Sequence, residues 1–209
     1  MKQITQKNNF VYLFFSLLIF LFSAGVMAEF PNSIGEDVFS LITILMLVVS
    51  IKSLKTEKTW KWAVYALVTF FMTLTALSKF FDHQFYVYLL LAILLTFFIG
   101  SFWVAAKQVL FVGDIDGNKI IGSLSLYFLL GLIWAVIYLL ILSMDPTAFS
   151  GLEVATWQQG FARIAYYSFV TLTTLGYGDI LPNSSLVRII VLVQIAFSII
   201  IIVFVVNII

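Results

Sequence analysis

Between two strongly apolar segments near the C-terminal end lies Thr171-Leu172-Thr173-Thr174-Leu175-Gly176-Tyr177-Gly178-Asp179. The stretch offers hydroxyls, one carboxylate and two glycines at alternate positions, Gly176 and Gly178. Glycine enters left-handed backbone space without steric cost. A backbone that alternates ordinary and left-handed residues turns successive carbonyl oxygens to one side, and such a row can stand in for the water shell of a cation. Taken alone, Gly-Tyr-Gly reads as a tight turn. Thr173-Thr174 before it, Asp179 after it and the apolar flanks set it apart from an ordinary turn.

Other chemistry finds little support. The sequence holds no H-E-x-x-H, no nucleophile elbow and no P-loop, and its apolar segments carry no internal carboxylates, so neither an enzyme nor a coupled transporter is expected. No cysteine is present, which excludes disulfides and thiolate metal sites. Asp114-Ile115-Asp116-Gly117-Asn118 resembles the start of a calcium loop, but its glycine comes too early and Ser125 stands where the bidentate Glu belongs. It reads as a polar turn. Asn183-Ser184-Ser185 is formally a glycosylation sequon, and His83 beside Asp82 is a loop histidine read as a bystander.

The elements that must position the Thr171–Asp179 stretch are membrane helices. Of 209 residues, 63% are hydrophobic and 10% charged, at a formal net charge of +1, and the mean hydropathy is +1.13. That leaves too little polar surface to clothe a soluble core, and no basic footprint for nucleic acid. Runs long enough to span a bilayer fall at Phe10–Ala28, Val38–Ile51, Ala63–Leu77, Tyr86–Ala106, Ile120–Met144 and Leu186–Ile209, the second and third completed by their flanks. The fold class expected is an all-α integral membrane protein. Lys2, Lys7, Lys52, Lys55, Lys58, Lys61, Lys107 and Lys119 mark one side; Glu29, Glu36, Asp37 and Asp82, with Lys79, lie on the other. By the positive-inside bias both termini are cytoplasmic and 145–183 faces outside, in the cell membrane (the inner membrane if the source is bacterial). Val26-Met27-Ala28 also resembles the end of a signal peptide; the apolar run before it is longer than a signal core, which favours an uncleaved helix.

The pattern T-x-T-T-x-G-Y-G-D resembles the selectivity filter of the potassium-channel family, with Leu175 where Val is usual. From Ile120 onward the order of span, outer loop, short amphipathic segment, filter and span is similar to that family's pore module; the first four spans resemble it only in number and placement. The resemblance implies three regions: residues 1–112, four transmembrane helices; residues 113–119, a cytoplasmic linker; and residues 120–209, the pore module, with Ala162–Thr173 as a re-entrant pore helix. It implies passive K⁺ conduction, with K⁺ held at Thr174, Leu175, Gly176 and Tyr177 and the row closed by Gly178. The Thr174 hydroxyl would form the innermost site. Thr173, Asp179, Tyr166 and Tyr167 would support the filter, Tyr177 packing against pore-helix aromatics. One loop cannot close a ring, so a homotetramer in the bilayer is expected. No cofactor beyond the permeant ion, no soluble ligand and no nucleic-acid partner are expected.

Departures from the family shape the expectations on gating. Val170 stands where some members place a Glu that pairs with the terminal Asp, so a Tyr166 or Tyr167 hydroxyl is the candidate partner of Asp179. Ser198 replaces a frequent hinge glycine. The run Tyr86–Ala106 holds no Arg or Lys, so no voltage sensor is expected. Ile199, Val203 and Asn207, four residues apart, fall on one helix face and could line the inner pore, Asn207 at roughly 28 Å below Arg188. The polar Gln194 and Ser198 are expected to bond neighbouring helices. A modulatory, non-conducting subunit of a hetero-oligomeric cation channel is the second reading.

Overall fold

The computed structural model describes residues 9–30, 33–54, 58–78, 80, 84–111, 116–152 and 156–208. The expectations on Lys2, Lys7, Lys55, Lys79, Asp82, His83, Asp114 and Ile115, and on the side chains of Lys52 and Asn207, fall outside the described residues.

Among the described residues the molecule is all-α apart from one short strand pair. Helices α1 (Asn9–Glu29), α2 (Ser33–Ser53), α3 (Lys58–Ser78), α4 (Gln84–Phe111) and α5 (Gly117–Met144) are followed by β1 (Phe149–Ser150), α6 (Trp157–Leu172), β2 (Leu181–Pro182) and α7 (Ser185–Ile208). Among the described residues, α1 to α5 are long and apolar enough to cross a membrane, and α7 contributes the apolar stretch Ser185–Ile201. Helix is the form that lets each backbone amide find its partner within the segment, as hydrocarbon requires. Helices α2 and α3 extend past the apolar runs Val38–Ile51 and Ala63–Leu77 in both directions, so Glu36 and Lys58 sit inside their first turns. Pro146 and Pro182 both fall between helices, where a missing amide hydrogen breaks no helical ladder.

At one end of the molecule the Phe10 amide donates to Asn118 Oδ1 at 3.1 Å, joining the starts of α1 and α5. Asp116 caps α5 by accepting from the Lys119 amide. At the other end Gln84 Nε2 and Tyr88 OH, both on α4, donate to the Ser143 carbonyl near the end of α5, at 2.7 and 3.2 Å. Helices α1 and α5 therefore run in the same direction, and α4 runs opposite to α5.

Between membrane helices, burial from lipid brings little energy, so close packing and hydrogen bonds hold the assembly. Three aromatic clusters do this. Phe20 of α1 stacks on Phe39 of α2 at 5.4 Å and meets Phe161 of α6 edge-on at 5.0 Å; Phe98 of α4 and Trp157 of α6 complete the group. Tyr138, Phe149 and Tyr167 meet edge-to-face at 5.3 to 5.7 Å. Phe128 of α5 joins Phe14 of α1 to Phe169 of α6. The short helix α6 is thus wedged between α5 and α1, and a methyl at Gly131 would meet the Phe169 ring at 2.4 Å. Helix α3 is the outlier, packed on α2 and α4, with Trp60 laid against Gly100.

Candidate functional site: an exposed loop between two helices

The site begins where α6 ends. That helix starts at Trp157, a turn and more before the expected Ala162, because the Thr156 side chain accepts from the Gln159 amide and caps it. At its other end the Thr174 amide donates to the Thr171 carbonyl and the Leu175 amide to the Val170 carbonyl, both at 3.0 Å. These crossed bonds are those of a Schellman ending, which needs a left-handed residue at the position of Thr174. Thr174 has φ of 57°. Glycine usually occupies that position, and a β-branched residue there costs about 1–2 kcal/mol.

Beyond it, Gly176 has φ of 58° and Gly178 of 81°. Positive φ thus falls on alternate residues, 174, 176 and 178. The two glycines were legible in the sequence; Thr174 was not, since its side chain argues against the conformation it adopts. Thr173 anchors the turn, its hydroxyl 2.9 Å from the Phe169 carbonyl and 3.1 Å from that of Val170. Residues Thr173 to Asp179 are all exposed in the single chain, Leu175 and Tyr177 included. The loop lies at the carbonyl end of α6, where the helix dipole favours positive charge.

Of the two candidate tyrosines, Tyr166 is the one whose hydroxyl faces the Asp179 carboxylate. The Tyr166 ring also lies parallel to Tyr177, centroids 6.4 Å apart at an interplanar angle of 4°. Tyr167 turns the other way, onto Tyr138 and Phe149. The outer end of the loop is pinned by the β1–β2 pair, in which Ser150 faces Leu181 and Phe149 faces Pro182. Gly151 permits this closure: with φ of 84°, it approaches so closely that a methyl would lie 2.1 Å from the Asp179 carbonyl oxygen. The Asn183 amide donates to the Ala148 carbonyl at 2.8 Å, and Arg188 Nε to the Pro182 carbonyl at 3.1 Å.

Helix α7 buries one narrow stripe, Val187, Gln194 and Ser198. Gln194 bonds α5 and α6, as expected of a polar side chain between membrane helices. The Ser198 hydroxyl has no hydrogen-bond partner among the described residues. Ile199 and Val203 lie about half exposed, away from that stripe; Asn207 belongs to α7, with its side chain outside the described residues. No cluster of His, Cys, Asp or Glu that could hold a metal ion occurs among the described residues.

Residues 124–209, less than half of the chain, match a family model described as ion channel. No match was found among curated proteins or among solved structures. The matched segment runs from α5 through the loop to α7, so the C-terminal part of this membrane protein is an ion-channel domain, and its work is not that of an enzyme.

Proposed function

We propose that the chain is one subunit of a homotetrameric, K⁺-selective channel, in which the carbonyls of Thr174, Leu175, Gly176 and Tyr177 hold dehydrated ions and Gly178 closes the row. The observation that carries this reading is positive φ at Thr174, Gly176 and Gly178. Alternation of backbone hand is what turns consecutive carbonyls to one side, and the loop bearing it follows the negative end of α6.

The exposure of that loop in the single chain supports assembly with further copies. Irregular backbone at membrane depth must be buried in protein or line water. Around an axis past the loop, three further copies supply both conditions and bring four carbonyls to each level. Ile199 and Val203 then form an apolar neck below the filter, able to close by dewetting, with Asn207 nearer the cytoplasmic mouth. The filter itself is a second place for control. Helix α4 carries Lys107 near its end and no Arg, so conduction does not depend steeply on voltage. Division into residues 1–112, 113–119 and 120–209, and cytoplasmic termini, complete the proposal.

Ion flux from liposomes holding the purified protein tests it. Uptake of K⁺ that excludes Na⁺ and is blocked by Ba²⁺ is expected. Equal K⁺ and Na⁺ uptake would overturn the selectivity, and silent but assembled tetramers would favour a modulatory subunit.

A further inference from the structure

Helix α7 holds the filter loop at both ends. On the outer side, Arg188 Nε donates to the Pro182 carbonyl. Before the loop, Gln194 Nε2 donates to the Ser168 carbonyl at 2.9 Å and lies 3.4 Å from the Ser168 hydroxyl. The Gln194 carbonyl oxygen accepts from Tyr138 OH on α5, and the Ser168 hydroxyl donates to the Gly131 carbonyl at 2.7 Å. Gln194, Tyr138 and Ser168 are all fully buried. One amide therefore fixes α5, α6 and α7 at a single level. It does so on a main-chain carbonyl in the last part of α6, just ahead of the Val170 and Thr171 carbonyls that end the helix.

We infer that Gln194 is a positioning residue for the ion-binding loop, acting with Arg188 as one of two clamps through which α7 sets the spacing of the carbonyl row. The inference rests on the channel reading above and deepens it. A bond that served only to hold helices together could end on any neighbouring group. This one ends on the backbone that leads into the loop, and its counterpart six residues earlier on the same helix ends on the backbone that leads out. Any tilt or shift of α7 between these points strains the segment from Phe169 to Leu181. An apolar replacement keeps the helices in contact but frees the α6 end of the loop, so the ring of carbonyls loses the fixed diameter that distinguishes K⁺ from Na⁺. A planar amide that donates and accepts at once is the side chain such a junction requires.

The test compares the full-length parent, Gln194→Leu and Tyr138→Phe in liposomes, reading the K⁺ to Na⁺ permeability ratio beside the yield of cross-linked tetramer. Gln194→Leu is expected to assemble and to lose about tenfold in the ratio, the effect of one hydrogen bond of discrimination. Tyr138→Phe, which keeps its ring against Tyr167 and Phe149, should lose less in the same direction. Assembled Gln194→Leu tetramers with the parent ratio would overturn the inference. Should that variant not assemble, Tyr138→Phe decides: a lowered ratio supports the clamp, the parent ratio refutes it. A parent protein that does not prefer K⁺ removes the K⁺-selective reading and the inference together, an outcome seen before any variant is made.

Discussion

At the scale of single residues, the loop sets backbone conformation against side-chain identity. Gly176 holds its φ of 58° without the strain that a Cβ brings there. Gly176→Ala should cost about 1–2 kcal/mol in the loop and abolish selective K⁺ uptake; wild-type uptake by the assembled variant would show that the left-handed turn is dispensable. Thr174 is the sharper case, because a β-branched residue occupies the left-handed position of the helix ending. If it is kept there for its hydroxyl, Thr174→Ser should preserve the K⁺ to Na⁺ ratio. Thr174→Gly should leave the unfolding midpoint nearly unchanged, relief of about 1 kcal/mol being offset by a more flexible unfolded chain, yet reduce the ratio. Equal ratios in both variants would mean that the hydroxyl plays no part. The sequence showed the two glycines and the hydroxyl; it could not show Thr174's conformation, which is imposed by the crossed bonds that end α6. Gln194 was visible as a polar residue in an apolar run, but its partners Tyr138 and Ser168 lie too far away in sequence for any local pattern to reveal.

At the scale of elements, unbroken apolar runs wrote the long helices into the sequence, and the structure extends α2 and α3 into their polar flanks. Helix α6 was less legible. Its first turn, Trp157 to Gly160, carries two glutamines and a glycine and has no apolar periodicity of its own; the Thr156 cap and the contact of Phe161 with Phe20 and Phe39 hold it in helix. The close approach of α5 and α6 depends on Gly131, whose carbonyl also accepts from Ser168. Gly131→Ala must push against the Phe169 ring, itself packed on Tyr127 and Phe128. A loss of about 1–3 kcal/mol is expected from such overpacking. Thermal unfolding of the detergent-solubilised protein measures it, and an unchanged midpoint would mean that the ring moves aside freely.

At the scale of the whole molecule, the four N-terminal helices do not stand apart from the channel domain. Helix α1 touches α2, α5 and α6, and α4 lies along α5. That arrangement was not legible, because the pairing of Phe20 with Phe161 spans most of the chain and leaves no periodic trace. What the sequence did carry is the absence of arginine from α4. Conductance measured in a planar bilayer should accordingly vary little between negative and positive potentials; a steep sigmoidal rise would contradict this. Limited cross-linking in membranes should end at four copies, and a ladder stopping at two or three would remove the ring on which the ion ligands depend.

The seat of α1 also sets a timetable for biosynthesis. Helix α1 is made well before its partners Asn118, Phe128 and Phe161, each of which follows its contact on α1 by more than a hundred residues. Until then its inward face has lipid, α2 and α4 beside it, whereas α6 emerges with both of its walls, α1 and α5, already made. The seating of α6 between α1 and α5 thus joins segments far apart in sequence, and such long-range closure is slow. The nascent protein would wait in the membrane as a set of inserted but unjoined helices, open to quality control until α1 and α6 find each other.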